Sequence, residues 1–217
     1  MRTDWVPLSA SALVIGAMSL VLGVLLNPAD AGESAAGTLR VVNEAGGRWL
    51  GMAVMYFFAS IAMTLGLPSV LTLFDDRGRK LGLAGAALFL VGAIGTCGYA
   101  LLMVFFRAMV VHEAIVQRKL QAVTDDRGLA AFVYVWIFGF YGGVLLLAAG
   151  LFVAKRTQAW VPGLLLVFVA MMPVVSYLGR VGMAVQVMSL AVAFTGIAMA
   201  EVSDEERSRT LVRASAG

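Results

Sequence analysis

Few groups in this chain can move a proton, and the most suggestive stand close together. Arg107, His112 and Glu113 follow one another at the polar end of the third of six apolar runs, and His112 is the only histidine in 217 residues. Burial beside an apolar pocket raises the pKa of a carboxyl group, because it disfavours the charged form. Glu113 is therefore the candidate proton donor, with His112 and Arg107 as its candidate catalytic neighbours. On a helix Arg107 and His112 stand about 140° apart, and Arg107 and Glu113 are also too far apart in angle to pair directly. Arg180, on a short turn at the same end, can approach Glu113. The competing reading of all these groups is snorkelling at a membrane interface.

The second set of chemical groups is aromatic. The fourth apolar run carries Phe132, Tyr134, Trp136, Phe138, Phe140 and Tyr141. At about 100° per residue, Phe132, Trp136 and Phe140 share one face and Tyr134, Phe138 and Tyr141 the opposite one. Both faces cannot meet lipid in a packed bundle, so one turns inward. Tyr56 and Phe57 of the second run and Phe105 and Phe106 of the third lie at a similar depth. Together they predict an aromatic zone in one half of the bundle, read either as interfacial belt and core or as the wall of an apolar cavity. Aromatic faces can also stabilise a cation. The candidate substrate-binding residues are Tyr56, Phe57, Trp136, Phe140, Tyr134, Phe138 and Tyr141. Gln186 joins them as the most conspicuous polar group inside an apolar run, where it must find an interhelical partner.

Other chemistries lack their residues. One cysteine, Cys97, rules out an internal disulfide, and one histidine rules out a multi-histidine metal or paired-histidine haem site within one chain. Asp75-Asp76 is followed at once by Arg77, Arg79 and Lys80, which neutralise it. No metal and no cofactor is expected. No Asp, Glu or Lys lies at the middle of an apolar run, which argues against a proton- or cation-driven carrier. Phosphate-loop, GxSxG and HExxH motifs are absent. The net charge of +3 is spread between the runs and is not clustered with exposed aromatics, so nucleic acid is not an expected partner.

These groups must be positioned by the apolar runs themselves: 7–27, 49–74, 81–110, 129–154, 160–179 and 181–200. About 20 apolar residues cross a bilayer as a helix, and backbone groups in lipid must be satisfied within the segment. The predicted fold is all-α: one transmembrane domain of six helices over 1–200, with a short polar tail over 201–217. The first run is too long for a signal-peptide core and reads as a retained span. Alternating sides puts nine basic residues with the termini and seven opposite, so both termini are expected in the cytoplasm. Pro68 is a candidate kink. The third helix is expected to continue through 111–122, and the 28–47 loop and the tail beyond 201 to be irregular. Gly82, Gly85 and Gly92 form one small-residue stripe and Gly139, Gly143 and Gly150 another, the pattern of close helix contacts in lipid.

In size and helix count the chain resembles small bacterial, actinobacterial-type six-span membrane proteins, including small membrane-bound terpene cyclases. That resemblance implies an enzyme of the cell membrane acting on a hydrophobic, isoprenoid-type substrate by acid-initiated cyclisation or isomerisation. The alternative is a non-catalytic component of a transport, export or self-protection system. Either way the expected partners are membrane lipid and a hydrophobic small molecule. The sequence leaves the oligomeric state open.

Overall fold

The computed structural model describes residues 5–29, 34–74, 77–115, 120, 122–123 and 125–215, with side chains described up to 203 except that of 35. Asp75 and Asp76 lie outside the described residues. The elements are helices, in chain order α1 (Trp5–Leu26), α2 (Ala35–Glu44), α3 (Gly46–Thr72), α4 (Arg79–Val111), α5 (Arg127–Ala154), α6 (Trp160–Ala170) and α7 (Val175–Ser215). No strand occurs among the described residues. Helices α1, α3, α4, α5 and the Val175–Ser203 part of α7 are long and apolar enough to cross a membrane.

The six apolar segments close into a ring. α1 packs along α3, α3 along α4, α4 along α5, α5 along α6, α6 along α7, and α7 returns to α1. The glycine stripes set the closest contact. A Cβ on Gly85 would stand 2.8 Å from the backbone nitrogen of Leu147, and one on Gly139 would stand 2.7 Å from that of Gly92. Only hydrogen at these positions lets the α4 and α5 backbones approach, which is how helices gain dispersion energy where lipid is as apolar as protein.

Pro68 lies inside α3, and its missing N–H interrupts the helical ladder. Ser9 of α1 reaches the same turn. Its hydroxyl donates to the Leu65 carbonyl at 2.8 Å and accepts from the Ser69 N–H at 3.1 Å. A side chain from a neighbouring helix is thus inserted between a carbonyl and an N–H of α3, a recognised cause of helix kinks. Both partners are satisfied in an apolar setting where an unpaired group is costly.

Four stretches differ from the sequence expectation. The run over 160–179 is not one continuous helix. α6 has 11 residues, Met171–Val174 form turns around Pro173, and a residual helical turn ends at Gly179, whose φ of 56° and ψ of −135° break α7. This broken segment still carries the chain back to the end of α1, since Arg180 Nη2 donates to the Pro28 carbonyl at 3.0 Å. Second, the 28–47 loop contains α2. Its start is capped by the Ser34 hydroxyl, which accepts from the Gly37 N–H at 3.1 Å, and Val42 is fully buried against Trp49 and Met103. Third, α4 stops at Val111 instead of running on through 122. Glu113 takes a left-handed φ of 53° and the Ala114 N–H bonds the Met109 carbonyl at 2.9 Å, a Schellman-type ending. Fourth, α7 remains helical to Ser215, and Glu201 at the end of its apolar part is buried.

Candidate functional site

A closed ring of six segments leaves an axis to fill. Away from the Pro28–Arg180 end it is filled by side chains such as Phe89, Leu147, Leu165, Leu190, Phe194 and Ile197, all essentially inaccessible. Phe89 anchors this packing, its ring centroid 5.0 Å from that of Phe140 and 5.9 Å from that of Phe194. Towards the Pro28–Arg180 end the filling stops, and a cavity of about 550 Å³ opens. Every segment of the ring contributes to its wall: Leu20 and Val24 from α1, with Asn27 just beyond its end, Trp49, Met52 and Tyr56 from α3, and Thr96 and Tyr99 from α4. Trp136, Ile137, Phe140 and Tyr141 come from α5, Phe168 from α6, and Met183, Gln186 and Val187 from α7. Ala29, Met172 and Thr38 of α2 complete the wall.

The aromatic wall is held in place by specific contacts. The Trp136 indole N–H donates to Thr96 Oγ1 at 2.9 Å, and Thr96 donates in turn to the Gly92 carbonyl at 3.0 Å. The Tyr99 ring stacks on Trp136, with centroids 4.5 Å apart and planes at 22°. Gly95 makes room for that indole: a Cβ there would stand 2.6 Å from Trp136 Cβ. Tyr141 stacks on Phe168 at 5.0 Å and 10°. The Trp49 indole N–H donates to the buried Met103 carbonyl at 3.0 Å, tying α3 to α4. Gln186 finds the interhelical partners that its position demands: its Nε2 donates to the Phe168 carbonyl at 3.0 Å and to the Tyr141 hydroxyl at 3.1 Å.

The structure divides the residues singled out in the sequence. It brings Tyr56, Trp136, Phe140, Tyr141 and Gln186 together on the cavity wall. Phe57 is not on the wall and meets Phe58 edge-on at 6.2 Å. Tyr134 and Phe138 face outward, 66% and 75% exposed, as does Phe132. The expected two-face division of α5 therefore fails at two of its six residues: Phe132, grouped with Trp136 and Phe140, faces outward, and Tyr141, grouped with Tyr134 and Phe138, turns inward, because α5 packs between α4 and α6 along its inner part. His112 and Glu113 are exposed on the turn after α4 and are not part of the wall. Arg107 is half-buried, and its Nε donates to the Gly46 carbonyl at 2.9 Å, a contact that fastens α4 to the first turn of α3. Arg180 is placed on the Pro28 carbonyl. Among the described residues the wall carries no carboxylate, no histidine and no charged side chain.

Several wall residues were not visible as such in the sequence, above all Tyr99, Thr96, Trp49, Met172 and Met183. The apolar runs that carry them are apolar on every side, so no polar face shows which side turns inward.

No known family model, curated protein or solved structure matches this chain.

Proposed function

We propose that the chain is a six-span protein of the cell membrane, with both termini cytoplasmic, that holds a largely apolar small molecule in the cavity of its outer half. One observation carries this reading. A ring packed solid away from the Pro28–Arg180 end opens, towards that end, into a cavity of about 550 Å³ walled by aromatic and methionine side chains with a few fixed polar groups. That volume and composition are those of small-molecule sites. The broken α6–α7 segment supports six crossings, because it returns the chain to the Pro28 end.

The test is what the protein retains. Organic extracts of the purified protein, analysed by mass spectrometry, should contain a stoichiometric apolar compound. The same compound should be missing from Val187→Phe, which puts a ring into the cavity. Equal recovery of all lipids from both proteins would remove the reading.

Conversion of the bound molecule is the second reading, favoured by the faces of Trp136, Tyr99 and Phe140 around the void, which could shelter a cationic intermediate. Acid-initiated cyclisation or isomerisation of an isoprenoid would then take its proton from a group other than Glu113, which lies off the wall. Incubation with prenylated substrates, and product analysis, separates conversion from simple binding.

A further inference from the structure

The polar groups of the cavity have a direction that the structure fixes. Gln186 is only 6% exposed, and its amide meets the carbonyl of Phe168. A backbone carbonyl only accepts, so the nitrogen must face it, and the orientation of the amide follows. The carbonyl is open to Gln186 because it lies in the last turn of α6, where the chain has stopped supplying helical N–H groups: the Met172 N–H bonds Val169 instead, at 3.2 Å.

Two consequences follow. The Tyr141 oxygen accepts from Gln186 Nε2, so the proton of Tyr141 is left for something else. Stacking on Phe168 holds the ring, and with it the direction of that hydroxyl. Gln186 Oε1, in turn, has no hydrogen-bond partner among the described residues. The hydroxyls of Tyr56 and Tyr99, also on the wall, have none either. The cavity therefore presents three phenolic hydroxyls and the side-chain amides of Gln186 and Asn27; of the three phenols, Tyr141 is the one whose oxygen already accepts from Gln186 and whose proton is left to donate. No charged side chain on the wall could pair with an ion, and an unpaired charge there would lose its hydration without compensation.

We infer that the cavity selects an uncharged molecule bearing a carbonyl oxygen, of the ketone, ester or quinone kind, which accepts from the Tyr141 hydroxyl. This rests on the ligand-binding reading above and adds the chemical class. A carbonyl has two lone pairs and no proton, so it takes donors without adding one. Its apolar remainder lies against Trp136, Phe140 and Tyr99.

The test uses a matched pair of probes, 2-acetylnaphthalene and 2-ethylnaphthalene, which differ by a carbonyl in place of a methylene. Binding to the full chain in lipid nanodiscs is read from the rise of the thermal unfolding midpoint with probe concentration, corrected for partition into lipid. The acetyl compound should bind at least fivefold more tightly. Tyr141→Phe should bring the ratio below twofold. Equal binding of the two probes to the unmodified protein would overturn carbonyl recognition and leave the cavity reading standing. A ratio that survives in Tyr141→Phe would overturn the assignment to that hydroxyl. Failure of both probes to bind, with Val187→Phe indistinguishable from the unmodified protein, would sink the ligand-binding reading itself. The probe comparison on the unmodified chain does not depend on any variant folding.

Discussion

Gly85→Ala and Gly98→Ala are the same chemical change on the same helix, and the account predicts different outcomes for them. At Gly85 the new methyl would stand 2.8 Å from the Leu147 nitrogen and 3.1 Å from the Leu146 carbonyl carbon. These are backbone atoms and cannot rotate away, so α4 and α5 must separate by several tenths of an ångström along their contact. Overpacking of this kind costs about 1–3 kcal/mol. Alanine gains up to about 1 kcal/mol of helix propensity over glycine. In SDS-driven unfolding that gain largely cancels, because the helices persist in the unfolded state. A net loss of about 1–2 kcal/mol is expected. Gly98 is exposed, and a methyl there meets nothing within 4 Å. Its change should stay within about 0.5 kcal/mol. The assay is unfolding of purified protein in mixed micelles, followed by tryptophan fluorescence and circular dichroism. Equal effects of the two substitutions would refute the claim that glycine contact sets the α4–α5 spacing.

Further outcomes follow from single contacts. Ser9→Ala leaves the Ser69 N–H and the Leu65 carbonyl without their bridge, and should cost about 1–3 kcal/mol in the same unfolding assay. Trp49→Phe removes the indole N–H from the buried Met103 carbonyl and should cost about 1 kcal/mol, measured likewise. Lys155 ends α5 with a left-handed φ of 54°, a conformation that costs a non-glycine residue about 1–2 kcal/mol, so Lys155→Gly should raise stability. Glu113→Gln, on the exposed turn beyond the cavity, should leave probe binding in nanodiscs unchanged; a severalfold loss would return Glu113 to the site.

Much of the frame was legible in the sequence because lipid imposes length and glycine imposes spacing. Most span boundaries follow from where apolar residues stop, and Gly85, Gly92, Gly139 and Gly143 sit where their pattern put them. Asp126 caps α5, its carboxylate accepting from the Leu129 N–H at 2.8 Å, as an Asp ahead of an apolar run suggests. Gln186 was identifiable because a lone amide in an apolar run must be partnered. Inward and outward faces were harder to read. In a soluble helix the core side is the apolar side, but here both sides are, so Tyr99 and Met183 gave no signal. α2 was obscured by the small and polar residues around it, although Ser34 and Val42 hold its cap and its buried face. The break at Met171–Val174 was hidden inside a run long enough to span, with Pro173 as its only mark. Glu113 was expected within a helix continuing through 122, but that helix ends at Val111, and the left-handed backbone of Glu113 turns the chain and leaves its side chain in the open.

The most direct test is quenching of Trp136 by a brominated alkane. In nanodiscs, with Trp5, Trp49 and Trp160 replaced by phenylalanine, 1-bromododecane should quench Trp136 along a saturable curve that Val187→Phe abolishes. Quenching that rises linearly with lipid-partitioned quencher, and is identical in both proteins, would mean that Trp136 meets acyl chains and that no distinct binding site exists.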